Sequence, residues 1–190
     1  MFNINECYDI FATKPNTAYF WSGLGADGQD IAEKIARENN GTTLEMLMEE
    51  HKDELISAGF SYDEDLGGFY FSSENAQDWQ EISKAYAEQA SGNVYAVLGD
   101  NVRDGSVWNT QELPALEQND NVDKVFSVDS VTGKTTDILL DKNNEFYEDE
   151  DNDYYSGMGY WMITYIYKTK KINTYKGEKT LWDVHIATKI

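Results

Sequence analysis

At 190 residues the chain is long enough for one domain or a compact two-lobed unit, and a hydrophobic fraction of 41% allows a real core. Thirty-five acids against 15 bases leave a formal charge of −20, which argues against nucleic acid or an anionic membrane as a direct partner, because phosphate binding needs local positive charge. The lone Cys7 excludes an internal disulfide and a multi-cysteine zinc site, and His51 and His185 are too few for a histidine-rich metal site.

The start, MFNINECYDIF, lacks the basic-then-apolar pattern of a secretory leader, and no apolar run reaches the length of a membrane span. The expectation is a reduced protein made in the cytoplasm, one that reaches a target cell's cytoplasm only as part of a larger molecule. Residues 28–38 (GQDIAEKIARE) then predict a helix with Ile31, Ala32, Ile35 and Ala36 on one face, stopped by NNG at 39–41. A second helix is expected over 42–56, with Leu44, Leu47, Met48 and Leu55 in helical period and Thr42 and Glu45 at capping-box spacing. Residues 76–90 predict a third, with Trp79, Ile82, Tyr86 and Ala90 one turn apart. VYAVLG at 94–99 and KVFSVD at 124–129 read as strands, and TGK turns the second into TTDILL. After the acid-rich 141–153, aromatic alternation at 160–168 and 180–189 predicts an antiparallel hairpin.

The expected fold is α/β (α+β). A helical N-terminal part packs on a small, largely parallel sheet, followed by a C-terminal antiparallel β-hairpin. The expected division is 1–140 as the catalytic domain and 141–190 as an acidic loop and hairpin extension. Within 148–153, Asp149, Asp151 and Asp153 alternate as in a calcium loop. Tyr154 stands where that loop needs glycine and Tyr160 where it needs an acid, so no metal is expected.

Four stretches carry candidate chemistry: Trp21 and Ser22 in FWSG, Glu45 in TTLE, Trp79 at the third helix, and Ser106, Trp108 and Glu112 in SVWNTQE. Each has an ordinary structural reading as well: Trp21 and Trp79 as core, Glu45 as a helix cap, Glu112 as a solvated loop acid. Their order resembles that of the ADP-ribosyl cyclases and NAD glycohydrolases. That family has an early tryptophan-serine pair, a Thr-Leu-Glu opening a helix, a tryptophan beginning a helix that runs into a strand, and then a serine, an aromatic two residues on and a glutamate four residues later. The likeness spans roughly residues 19 to 116. The lack of disulfides points to the family's bacterial toxin-like branch. An alternative alignment through GSV places Trp108 at the glutamate position.

The resemblance implies cleavage of the nicotinamide–ribose bond of NAD or NADP, as substrate rather than cofactor, giving nicotinamide and ADP-ribose or its cyclic form. It implies Glu112 as the catalytic carboxylate and Glu45 as holder of the carboxamide and second catalytic residue. Trp21 and Trp79 would stack on the nicotinamide, with Trp108 beside them. Ser22, Ser106 and Arg103 would bind the pyrophosphate. A cognate immunity protein is the partner expected of a toxin. Two other readings keep weight: an acidic, non-enzymatic binding protein such as an immunity protein or nucleic-acid mimic, and the same fold used for ADP-ribosyl transfer or RNA cleavage. The enzyme reading makes one geometric demand: Trp21, Glu45, Trp79, Ser106 and Glu112 must converge on one cleft between helices and sheet.

Overall fold

Four strands lie side by side in chain order at the centre of a computed structural model that describes residues 2–143: β1 (Tyr19–Ser22), β2 (Gly92–Leu98), β3 (Val122–Val128) and β4 (Thr135–Asp141). β1 with β2 and β2 with β3 are parallel, and β3 with β4 is antiparallel. The expected α/β class is therefore found. β2, β3 and β4 fall where their apolar runs place them, whereas β1 stands on residues read from sequence only as a motif. The hairpin expected at 160–189 and the calcium-like acids lie outside the described residues.

Strand alternation sorts the sheet's side chains onto two faces. Phe20, Val94, Ala96 and Leu98 face one core, with Ile82, Ala85 and Tyr86 of α4 (Ala76–Glu88) against them. α2 (Leu44–Glu50), α3 (Lys52–Ser57) and α5 (Leu113–Gln118) add Leu44, Leu47, Met48, Leu55, Ala115 and Leu116. On the other face, Tyr19, Val97 and Val128 meet Ala32, Ile35 and Ala36 of α1 (Gly28–Glu38). Tyr19, Tyr95 and Phe126 stack across three strands there, with ring centroids 4.8 and 5.9 Å apart.

The helix boundaries have local causes. α1 ends as expected: Asn40 takes a left-handed φ of 55° and the Gly41 N–H donates to the Ala36 carbonyl at 2.7 Å. The single helix expected over 42–56 is instead two, broken at His51, whose φ of −110° and ψ of 30° leave the helical region. The expected capping box is also replaced. Thr43, not Thr42, is the cap, and its hydroxyl accepts from the Met46 N–H at 3.3 Å. That shift frees Glu45 for another partner. α4 begins three residues ahead of Trp79, after Ser72 and Asn75 exchange hydrogen bonds. Among the described residues, no helix is long and apolar enough to cross a membrane.

A buried asparagine closes the end of α4. The Asn119 amide donates to the carbonyls of Ala87, Glu88 and Ala90 at 2.9, 3.0 and 2.8 Å, and these are groups that a helix end leaves without intrahelical partners. Asn119→Ala should cost about 1–3 kcal/mol, the penalty for orphaning buried acceptors. Asn119→Asp should cost more, because it sets a carboxylate against three carbonyls. Urea unfolding at unchanged m-value checks both; equal stability of the two variants would refute the assignment.

Candidate functional site

β1 and β2 both end, at Ser22 and Leu98, beside a cavity of about 1050 Å³. Crevices at the carboxyl ends of parallel strands are the usual ligand position in α/β sheets. Glu45, Glu112, Trp21, Ser22, Trp79, Arg103, Ser106 and Trp108 all line this cavity, so the eight candidate site residues meet in one place.

Trp21 projects from β1 toward the start of α1, where Gly28 leaves room for it: a Cβ at Gly28 would lie 2.7 Å from Trp21 Cε3. The indole Nε1–H donates to Glu45 Oε1 at 2.9 Å. The other carboxyl oxygen, Oε2, is buried and has no hydrogen-bond partner among the described residues. Burial pushes the Glu45 carboxyl up from its ordinary value, against the lowering effect of its own N–H, the Trp21 indole and the Thr43 hydroxyl.

Glu112 approaches on a separate segment, between β2 and β3. It ends a π-helical turn, Trp108–Glu112, that runs directly into α5. Single π turns inside helices are frequent at functional sites. Ser106 caps this turn, its hydroxyl accepting from the Asn109 N–H at 3.3 Å. Trp108 is only 3% exposed and tilts against Phe20 at 5.8 Å, so it walls the cavity from the core side. Glu112 is 8% exposed. Its carboxyl is raised well above the usual range, first by burial and then by the charge of Glu45, with the Ser83 hydroxyl opposing. Two carboxyls thus share one cavity, and the charge of Glu45 disfavours ionisation of Glu112.

Trp79 is half-buried, its ring edge-on to Phe60 at 5.6 Å. Its Nε1–H donates to the Tyr70 carbonyl at 3.3 Å, which ties the 61–75 loop to the cavity wall. Arg103 is exposed at the rim, in the loop after β2. That loop is drawn close at Gly99, where a Cβ would lie 2.7 Å from the Gly23 carbonyl carbon.

Sequence reasoning missed Ser83, Tyr86, Tyr70, Phe71 and Asp100, which also line the cavity. Ser83 was within reach, since it follows Trp79 by one helical turn and so shares its face. Tyr70 and Phe71 carry no periodic signal.

No family model and no curated protein matches the chain. Solved structures do. A crystal structure of Aplysia cyclase with substrate NGD and product cGDPR is 26% identical, with a TM-score of 0.42 over 60% of this chain and 49% of that one. An ADP-ribosyl cyclase complexed with N1-cIDPR is 22% identical, with a TM-score of 0.44 over 63% of this chain and 53% of that one. The chain therefore spans about half the length of the solved proteins it resembles.

Trp21→Phe keeps the ring and removes the donor to Glu45. Losing a hydrogen bond to the charged form moves a carboxyl upward, so the Glu45 pKa should rise in the variant. Carboxyl-carbon NMR titration reads this directly, and an unmoved titration would show that the indole bond has no bearing on the carboxylate.

Proposed function

We propose that the chain is an NAD(P)+ glycohydrolase or ADP-ribosyl cyclase that breaks the nicotinamide–ribose bond. The observation that carries this reading is a pair of carboxyls, Glu45 and Glu112, in one cavity lined by the indoles of Trp21 and Trp79. Nicotinamide in the intact dinucleotide is a flat cation, and indole faces attract such rings by stacking and cation–π interaction. The unpartnered Glu45 Oε2 is a ready acceptor for the carboxamide NH₂.

In the reaction, the C1′–N bond breaks and its electron pair stays on the nicotinamide nitrogen, which leaves as a neutral molecule. The ribose is left oxocarbenium-like. Glu112 beneath it stabilises that charge, in a site where little water competes. Water then attacks C1′ and releases a proton, giving ADP-ribose; attack by an adenine nitrogen gives the cyclic product. Ser22, Ser106 and Arg103 hold the pyrophosphate. Ser106 uses its oxygen lone pair on Asn109, which leaves its O–H for the phosphate.

A protein that used its acids only to attract a basic partner would display them at the surface, whereas these two carboxyls lie inside. The catalytic unit of this proposal is residues 1–140, with 141–190 as an extension. The toxin-like branch, a cognate immunity partner and delivery into a target cell belong to the same proposal, favoured by the absence of disulfides.

Glu112→Gln should lower turnover about a hundredfold or more, the scale of a lost electrostatic stabiliser, with little change in the affinity for intact NAD. Trp79→Ala should weaken binding as well. Single-turnover kinetics and calorimetric titration on the same preparations separate these effects; wild-type turnover in Glu112→Gln would sink the reading.

Two pH effects follow from the raised Glu112 pKa. The carboxylate is the active form, so the acid limb of turnover should lie above the ordinary glutamate range of about 4.3. A carboxyl whose folded pKa exceeds its unfolded one stabilises the fold fully below the unfolded value and loses that contribution as pH rises through the folded one. Glu112→Gln should therefore unfold at higher temperature than the parent at neutral pH, and the gap should close near pH 4. Calorimetric scans across that range check it.

A further inference from the structure

Resting on the proposed dinucleotide-cleaving reading, we propose that the cavity takes NAD and discriminates against NADP, and that Asp100 sets this choice. The charged side chains lining the cavity are Glu45, Asp100 and Glu112 against Arg103 alone. Glu45 and Glu112 lie at the floor, where the indoles gather. Arg103 and Asp100 are both exposed and share the loop that leaves the carboxyl end of β2. The nucleotide end of the substrate therefore meets one guanidinium and one carboxylate.

A diphosphate bridge needs only modest positive help, and Arg103 with the Ser106 hydroxyl and loop N–H groups supplies it. NADP brings a further phosphate on the adenosine ribose, adding about 1.5 to 2 negative charges. Among the described residues, no second basic side chain lines the cavity to receive it. In nucleotide sites generally, a carboxylate near the ribose accepts hydrogen bonds from its hydroxyls and selects the unphosphorylated form, while an added arginine admits the phosphate. Asp100 is placed to act in the first way. The chain's overall charge of −20 works in the same direction.

The choice should be made in binding rather than in the chemical step, because the 2′-phosphate is remote from the bond that breaks. The parent chain should therefore favour NAD over NADP by about tenfold or more in kcat/KM, with the difference carried by KM. Raising salt should narrow the ratio, since exposed charges are screened over about 8 Å at physiological ionic strength. Asp100→Lys should bring the ratio toward unity by improving NADP; Asp100→Asn, a milder change, should move it part of the way. A merely structural role for Asp100 would alter both substrates together and leave the ratio alone. Equal use of the two dinucleotides by the parent, or a ratio indifferent to both substitutions and to salt, overturns the inference.

If the parent cleaves neither dinucleotide, the catalytic reading fails, and calorimetric binding of ADP-ribose against ADP-ribose 2′-phosphate still decides the selectivity. Preference for the unphosphorylated form supports it, equal binding overturns it, and binding of neither overturns both.

Discussion

A single buried hydroxyl fixes the geometry on which the cavity depends. Tyr86, in the last turn of α4, donates from Oη to the Thr42 carbonyl at 2.7 Å and accepts from the Tyr19 N–H at 3.2 Å. The Tyr19 N–H also reaches the Thr42 carbonyl, at 2.8 Å. One side chain thus ties the start of β1 to the turn that launches α2. Trp21 sits two residues along one arm and Glu45 three along the other, so their 2.9 Å hydrogen bond follows from the anchor. The same ring tilts against Phe20 at 4.7 Å, and Phe20 in turn touches Trp108. The segment carrying Glu112 is positioned from the same point.

The cavity is costly to the fold that makes it. Burying a carboxyl without full hydrogen bonding is unfavourable, and here two line one cavity, where the charge of Glu45 adds to burial in raising Glu112. Three local accommodations offset part of that. Trp21 donates to Glu45, Ser83 stands beside Glu112, and the two carboxyls come from separate segments, one from the first turn of α2 and one from a π turn. Buried charge gathered at one place, within a conventionally packed sheet and helices, is a common mark of functional sites.

Much of this was legible in the chain. α1 was read to its residue because its apolar stripe is regular and NNG ends it. β2, β3 and β4 declared themselves as apolar runs bounded by glycine and acids. β1 did not, because four residues are too few for a period, and Tyr19–Ser22 owe their extended form to pairing with β2. The break at His51 was hidden because Leu55 stays in helical phase with Leu44 and Met48 across it. At the site, residue types were readable but hydrogen bonds were not. Thr42 and Thr43 are identical in kind, and only folding decides which caps α2 and hence that Glu45 turns to Trp21. Tyr70, Phe71 and Asp100 sit on loops, where sequence carries no phase.

The placement of the indoles has an optical consequence. Of the chain's five tryptophans, Trp21, Trp79 and Trp108 line the cavity, while Trp161 and Trp182 belong to the segment beyond residue 143. Indole emission shifts with local polarity and is quenched by stacked acceptors. Replacing Trp161 and Trp182 with phenylalanine would leave a protein whose entire tryptophan emission arises from the walls of one cavity. The molecule would then report its own occupancy, and the ionisation of the acid bonded to Trp21, without any added dye.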